Sequence, residues 1–427
     1  MQIKVHRGLE QIGGCITEIS TATSRVFIDM GQNLPGNGEV TTPEEDWALV
    51  NGILSQNVKE YQAVVYTHAH EDHVGLFEYV PDDIPQYIGE GGKLLLVEKY
   101  GLIKKSLVMN LRIAEGFSTI AEDLERSLRI AEIRQKIDAE KKKIRTLNNF
   151  RTWARTKPHA SPKSFMVGDI RITPFFNCHS IYDSYMFLIE ADGKRIWHTG
   201  DYRDHGYLGK GLFPTLRRYA TDIDVLITEG TMLKREDECI HENEVSRRMA
   251  SVMEAFRYVV VLASSTDIER LAAIKEAAKR ANKTLYINGG YMNRTMKIFT
   301  EREAQISKGL FEFHPKFVKF DDSKLPTMRK NGFVLISGVN QLPQVNEICH
   351  GLDSNDVLFI YSSWDGYYKD PVQVAINPRY KAFRDAFTNV IDIHTSGHAS
   401  KETIHKVIKT IQPKEIICIH KESDATL

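Results

Sequence analysis

The chain has 427 residues, of which 42% are hydrophobic and 26% are charged, as in ordinary folded proteins. This length favours two domains over a single core. Its 56 basic and 56 acidic residues give a formal net charge of zero, which excludes nucleic-acid binding through global charge and leaves only local patches. The sequence predicts no signal peptide and no membrane-spanning segment. Its 5 cysteines, without disulfide-like spacing, predict a reducing cytoplasm.

The first predicted elements are paired strands within residues 3–30. The second strand, Arg25-Val26-Phe27-Ile28, is followed directly by Asp29-Met30-Gly31, so a carboxylate stands at the end of an apolar run. By itself this pattern leaves two interpretations of Asp29, a simple turn residue or a member of a functional site.

A cluster of ligand-type side chains follows the next predicted strand, Ala63-Val64-Val65-Tyr66. Imidazole nitrogen and carboxylate oxygen are the usual ligands of zinc-type cations. A tight turn lets the first two histidines converge on one ion, while the Asp-His pair that follows reaches a second ion beside it. The sequence therefore predicts a binuclear metal site in preference to a polar loop, with the ligands His68, His70, Asp72 and His73.

Residues 103–157 have a different pattern. From Ile103 to Phe150 there is no proline, a single glycine and apolar residues at helical spacing, which predicts a helical insert of two or more long helices. Between Lys104 and Lys157, 14 Lys and Arg oppose 7 Asp and Glu, a net charge of +7. This excess predicts either a solvated helix face or an arm that contacts nucleic acid or a partner protein. Its densest part is Lys141, Lys142, Lys143 and Arg145.

Polar residues also end several later strand-like runs. His179 precedes a predicted strand at 185–189, and His398 lies in Ser396-Gly397-His398, before a predicted helix at 401–411. Because strand ends gather along one rim of a sheet, where ligand sites of α/β proteins form, we expect these polar side chains to meet in space. The residues that directly follow apolar runs are Asp29, His68, Asp201, Glu229 and His420.

Strands and helices alternate regularly from about residue 240 to 393. This alternation predicts a parallel sheet with helices on both faces, built as a separate domain inserted into the first one. The predicted organisation is a first part at 1–230, an inserted domain at 231–385 and a closing segment at 386–427.

The run His68-Ala69-His70-Glu71-Asp72-His73 matches the H-x-H-x-D-H signature of the metallo-β-lactamase superfamily. This resemblance implies an αββα sandwich. It also implies that His179 completes the ligands of the first ion, that Asp201 bridges both ions, and that Asp29 orients a ligand without binding metal. His420 is expected to join Asp72 and His73 at the second ion.

The chain further resembles the β-CASP nucleases, the group of ribonuclease J. Glu229, the histidine of Ser396-Gly397-His398 and His420 match three motifs that this group adds to the metal loop. The resemblance implies hydrolysis of RNA or another single-stranded nucleic acid with two zinc ions, or with manganese or magnesium. Asp201, Glu229 and His398 would be catalytic, with His398, held by Glu229, supplying a proton to the leaving oxygen. A Ser-rich segment also resembles one found in the β-CASP nucleases. This resemblance implies that Ser264 and Ser265 contact nucleic acid.

Several alternatives stay open on the sequence. A DNA nuclease of the same family and a small-molecule hydrolase of the glyoxalase or lactonase type share the metal loop. The segments 337–342 and 362–368 differ from those of ribonuclease J, which leaves substrate choice open. We expect no membrane partner, and the interactions left open are a homo-oligomer and a protein bound to the helical insert.

Overall fold

The computed structural model describes residues 1–34, 41–116, 123–154, 161–235, 237–307, 309–319 and 322–427. Across these ranges, no helix combines the length and the apolar character needed to cross a membrane. The α-helices are α1 (Pro43–Ser55), α2 (Glu71–Val74), α3 (Glu90–Gly116), α4 (Asp123–Asn149), α5 (Leu212–Tyr219), α6 (Glu242–Glu254), α7 (Ile268–Arg280), α8 (Gly290–Ser307), α9 (Leu325–Asn331), α10 (Leu342–Cys349), α11 (Gly366–Lys369), α12 (Pro371–Ile376), α13 (Arg379–Asp385) and α14 (Lys401–Ile411).

The first sheet has six strands that lie side by side in chain order. Its first three strands are antiparallel, and the third to sixth run parallel to one another. Parallel pairing brings the carboxyl ends of the third and fourth strands, which lead to Asp29 and to the histidine loop, to the same edge. The strands are β1 (Gln2–Arg7), β2 (Ile16–Ser20), β3 (Ser24–Ile28), β4 (Tyr61–Val65), β5 (Gln86–Gly89) and β6 (Arg151–Trp153).

The second sheet also has six strands, β7 (Phe165–Val167), β8 (Ile170–Asn177), β9 (Ser184–Ala191), β10 (Lys194–His198), β11 (Val225–Glu229) and β18 (Glu415–Ile419). Their spatial order is β18-β11-β10-β9-β8-β7. The strands β10, β11 and β18 are parallel neighbours, although nearly two hundred residues separate β11 from β18 in the chain. Their ends therefore bring Asp201, Glu229 and His420 to one edge.

The two sheets pack face to face through a buried apolar layer. Val26 and Val65 of the first sheet meet residues such as Ile189, Ile196 and Ile227 of the second. Helix α1 covers the outer face of the first sheet, and α5 and α14 cover the outer face of the second. This arrangement confirms the predicted αββα sandwich.

The third sheet is entirely parallel in its described pairings, with the order β14-β13-β15-β12-β16-β17. Helices α6, α7 and α8 pack on one face, while α9, α10 and α13 pack on the other. The predicted α/β alternation is confirmed, and the sheet itself extends to Asp392. Its strands are β12 (Tyr258–Leu262), β13 (Leu285–Ile287), β14 (Lys316–Phe317), β15 (Phe333–Ser337), β16 (Val357–Tyr361) and β17 (Asn389–Asp392).

Helices α3 and α4 have 27 residues each and pack against one another. Ile133 and Ile137 are buried on the inner face of α4. The prediction of long helices is confirmed, but α3 begins already at Glu90 and the end of the predicted insert contains the strand β6. Residues 117–122 and 155–157 of the predicted insert lie outside the described residues.

Candidate metal centre

The ligand-type side chains singled out in the sequence lie together at one edge of the sandwich, where β4, β10, β11 and β18 end. Groups of three or four of them have ligand atoms within 4.8 Å of one another. Residues from opposite ends of the chain thus form one cluster. Its members are His68, His70, Asp72, His73, His179, Asp201, Glu229, His398 and His420.

Three imidazoles form one side of the cluster. His70 Nδ1 lies 3.1 Å from His68 Nε2 and 3.2 Å from His179 Nε2. His179 Nδ1 donates to the Gly397 carbonyl at 2.7 Å, so a neutral His179 presents the lone pair of Nε2. Burial lowers the pKa of His70 to about 4 and the pKa values of His68 and His179 well below the usual range. Neutral nitrogens that converge in this way are suited to a cation.

Asp201 lies between these three imidazoles and the rest of the cluster. Its Oδ2 is 3.2 Å from His73 Nε2 and 3.6 Å from His420 Nε2. The same oxygen is 3.7 Å from His179 Nε2 and 4.0 Å from His68 Nε2. On the far side, Asp72 Oδ2 lies 3.0 Å from His420 Nε2. Asp201 is therefore the one described carboxylate that approaches imidazoles on both sides.

His73 provides a test of whether the cluster fits a cation. Its Nδ1 lies 2.7 Å from Asp29 Oδ2, and Asp29 also accepts a hydrogen bond from the Thr67 backbone N–H at 2.7 Å. The other ring nitrogen, Nε2, is buried 3.2 Å from Asp201 Oδ2, but the two atoms are not in hydrogen-bonding geometry, and no other described residue accepts from Nε2 or donates to it. A buried polar atom without a partner is costly unless something else binds it. This orphaned nitrogen and the imidazole–carboxylate donor set fit a zinc-type cation.

The backbone at the centre is held in conformations that few residues adopt. Asp29 and His420 have φ values of 63° and 53°, in the left-handed region. Such strain is concentrated at functional sites, where the surrounding structure maintains it. Gly31 packs so closely on the metal loop that a Cβ there would lie 1.8 Å from the Asp72 carbonyl oxygen, so this position requires glycine.

Glu229 and His398 form a hydrogen-bonded pair beside Asp201. The Glu229 carboxylate accepts hydrogen bonds from the Tyr202 N–H at 2.8 Å and the Thr231 hydroxyl at 2.6 Å, and lies 2.7 Å from His398 Nδ1. The Glu229 side chain is 1% exposed and that of His398 is 21% exposed. Because Nδ1 faces the carboxylate, Nε2 of His398 is the nitrogen left for a bound molecule.

Comparison with known proteins agrees with this geometry. A Zn-dependent metallo-hydrolase RNA specificity domain matches residues 388–427, which contain His398 and His420. Ribonuclease J of Helicobacter pylori (strain 26695) is 21% identical over 97% of this chain and 55% of its own length. Ribonuclease J of Mycoplasma genitalium is also 21% identical, over 97% of this chain and 67% of its own length. The chain thus spans about half the length of the first of these relatives.

A solved structure resembles the whole chain. The crystal structure of a protein of unknown function from Enterococcus faecalis V583 has a TM-score of 0.68 and 17% identity, and the match covers 99% of this chain and 94% of that one. These matches support the resemblance of the chain to the β-CASP nucleases of the metallo-β-lactamase superfamily. The matched metallo-hydrolase domain also supports the predicted binding of metal.

The residues predicted to contact nucleic acid lie outside the metal cluster. Ser265 lines a cavity beside His70, together with Lys99 and Tyr291. Ser264 is exposed, and its hydroxyl lies 3.0 Å from that of Thr266. These contacts place the Ser-rich segment next to the metal loop, on the side of the first three imidazoles.

The four basic residues on α4 are not equivalent. Lys143 Nζ lies 3.2 Å from Glu78 Oε1 and over the Tyr100 ring at 5.3 Å, so this ammonium is engaged within the chain. Lys141 forms an exposed ion pair with Asp138 at 2.9 Å. Lys142 and Arg145 are exposed on the same helix.

Two residues that support the ligands, Thr231 and Cys15, were not predicted from the sequence. The Thr231 hydroxyl, which donates to Glu229, lies 2.7 Å from His420 Nδ1 and therefore joins the two side chains. Cys15 is buried with its thiol near His73 and His420. The turn that follows Glu229-Gly230 was the available signal for Thr231, but its partner His420 is 189 positions away.

Asp29 gives a first testable prediction. Asp29→Asn retains the shape but removes the charge that increases the basicity of His73, so we expect metal affinity to fall by about 10–100-fold. Competition with a chromophoric chelator measures this change. Asp222→Asn is the matched control, because Asp222 is exposed and also has a left-handed φ of 52°. An unchanged affinity in folded Asp29→Asn protein would contradict the orienting role.

Proposed function

We propose that this chain is a metal-dependent ribonuclease that hydrolyses phosphodiester bonds in RNA with two zinc ions. The observation that carries the proposal is the Glu229–His398 pair, 2.7 Å between Oε2 and Nδ1, directly beside the metal cluster. A hydrolase of small molecules with a good leaving group has no need of this pair. The names of the ribonuclease J relatives support the choice of RNA.

In this proposal two groups of donor atoms would each hold a cation, and Asp201 lies between the two groups. His68, His70 and His179 would hold the first cation, and Asp72, His73 and His420 would hold the second. When bound, such cations neutralise the charge of the phosphate and acidify water toward a pKa of about 7. The chain's own part is to fix the ligands: Asp29 orients His73, and Thr231 orients His420.

His398 has the remaining role in the proposal, which is delivery of a proton. The oxygen expelled from phosphorus is strongly basic, and a protonated imidazole beside it lowers the barrier to its departure. Glu229 accepts the Nδ1 hydrogen of His398 and thereby fixes the orientation of the imidazole ring. The other ring nitrogen, Nε2, then carries the hydrogen that the leaving oxygen takes up.

We also propose that residues 231–385 are an inserted domain, flanked by metal-centre segments at 1–230 and 386–427. The third sheet and its helices form most of this segment. Parallel pairing of β16 and β17 directs the chain back to Ser396-Gly397-His398. In this view the inserted domain closes one side of the substrate path, and the closing segment that follows it carries His398 into the site.

Digestion of labelled oligonucleotides tests the proposal. Purified protein is stripped with a chelator, reloaded with zinc, manganese or magnesium, and given RNA, single-stranded DNA and double-stranded DNA with different 5′ ends. We expect metal-dependent cleavage of RNA, and none by Asp201→Asn protein, which controls for contaminating nucleases. Preferential cleavage of DNA, or hydrolysis of thioesters or lactones alone, would overturn the assignment to RNA.

The basic stretch on α4 leads to a second prediction. Lys142→Gln and Arg145→Gln should each flatten the dependence of log affinity for RNA on log salt by about 0.7 units of slope, because each loses one contact with a single-stranded phosphate backbone. Binding titrations at several salt concentrations measure the slope. Lys409→Gln, an exposed lysine on α14, is the matched control. If the slopes are unchanged in both variants, the basic residues of α4 do not contact RNA and form either a solvated helix face or a site for a partner protein.

A further inference from the structure

A cluster of aromatic side chains and one arginine lies beside the metal centre and has no role in it. Arg235 lies over the Trp364 ring, with its guanidinium carbon 4.7 Å from the ring centroid. The Tyr367 ring contacts Trp364 edge to face at 5.3 Å and stacks on Tyr380 at 4.5 Å. Trp364 belongs to the segment 362–368, in which this sequence departs from ribonuclease J.

The topology brings this cluster to the metal centre. Arg235 follows β11 by six residues, in the same turn as Thr231, which contacts Glu229 and His420. The chain enters the Trp364 segment from β16, and it enters the segment that carries His398 from the parallel neighbour β17. Arg235 therefore follows the strand that ends at Glu229. Trp364 follows β16, the neighbour of the strand β17 that leads to His398.

Hydrogen bonds join these segments. The Ser362 hydroxyl donates to the Ile393 carbonyl at 2.8 Å. Arg270 donates to the same hydroxyl at 2.8 Å and to the Thr395 carbonyl at 3.1 Å. These bonds hold the Trp364 segment beside the segment that leads to His398.

Arg235 is the unusual member of the cluster. Within the ranges that the structure describes, its guanidinium has no hydrogen-bond or ion-pair partner, although neighbouring basic residues such as Lys234 and Arg248 form ion pairs. A half-buried guanidinium held flat by an aromatic ring keeps a planar, weakly hydrated cationic surface available. Unpaired bases stack on aromatic rings and on guanidinium planes.

We propose that Arg235, supported by Trp364, is a stacking site for one base of a single-stranded nucleic acid, at a nucleotide next to the scissile phosphate. This inference rests on the proposed nuclease function and adds a base contact to a centre whose other groups address only the phosphate. The guanidinium receives the base, and its charge offsets that of the adjoining phosphate. Trp364 and Tyr367 hold the guanidinium in place.

The test uses the metal-loaded full chain and a set of identical RNA oligonucleotides, each lacking the base at one position. For the wild-type protein we expect removal of a single base beside the cleavage point to raise KM about tenfold, with smaller effects elsewhere. In Arg235→Ala and Arg235→Lys proteins, intact and abasic oligonucleotides should have nearly equal KM at that position. Arg235→Lys is informative because it retains the positive charge but lacks the planar guanidinium on which a base can stack.

Arg218→Ala is the matched control, since Arg218 lies over the Tyr219 ring at 5.1 Å on α5, at the opposite end of β11. This variant should keep the wild-type ratio of KM values. A wild-type ratio near one at every position, or an unchanged ratio in both Arg235 variants, would overturn the proposal. If the wild-type protein cleaves no RNA, the nuclease proposal fails, and binding of the same oligonucleotides measured by fluorescence anisotropy still decides the stacking site.

Discussion

His398→Ala is expected to lower the hydrolysis of RNA by about 10²–10⁴-fold, the contribution usual for a general acid. The same substitution should cost far less with bis(4-nitrophenyl) phosphate, because nitrophenolate leaves without taking up a proton. A larger loss with RNA than with the nitrophenyl ester indicates that His398 delivers a proton. A residue that only positions the phosphate would give equal losses with both substrates. Steady-state rates on both substrates and the bound metal content are the measurements.

The comparison has an internal control. His405→Ala removes an exposed histidine of α14, only seven positions away, and should change neither rate. Glu229→Gln retains the shape of the side chain but removes the negative charge that faces His398 Nδ1, so it should reproduce part of the His398→Ala pattern. Equal losses on the two substrates would show that His398 positions the phosphate and that the proton has another source.

His420→Ala is expected to abolish cleavage and reduce the bound metal from two ions toward one. His420 Nε2 lies 3.0 Å from Asp72 Oδ2 and 3.6 Å from Asp201 Oδ2, so its loss removes a donor from the second group of ligands. The three imidazoles of the first group do not contact it closely and should keep their ion. Elemental analysis of the purified variant, with circular dichroism to verify folding, measures this outcome.

A milder substitution near His420 provides a second test of the metal prediction. Thr231→Val keeps the His420 imidazole but removes the hydroxyl 2.7 Å from its Nδ1, so the second ion should bind more weakly without being lost. Titration with zinc should then restore activity to Thr231→Val protein and not to His420→Ala protein. Unchanged stoichiometry in folded His420→Ala protein would show that His420 is not a ligand.

Local patterns in the sequence were sufficient to predict the parallel sheet and the long helices, whereas the sandwich was predicted from the resemblance of the histidine motif to a known superfamily. Each of these elements has an apolar periodicity that its own residues carry, and β12, β16 and α14 occur almost where that periodicity begins and ends. The boundaries of α3 were less accurate. Two of its first residues, Gly91 and Gly92, are poor helix formers. Gly91 packs closely against Tyr182 and Asp183, and the Gly92 N–H donates to the Asp183 carboxylate, contacts that the local sequence does not show.

The candidate ligands were also predictable, because each follows an apolar strand or lies in a dense motif. The contacts that give them roles were not, since they join residues far apart in the chain. His73 meets Asp29 across 44 positions and His398 meets Glu229 across 169, and only the pairing of parallel strands brings these side chains together. In the same way, packing against Glu78 and Tyr100 distinguishes Lys143 from the exposed Lys142, although the two are identical neighbours in sequence.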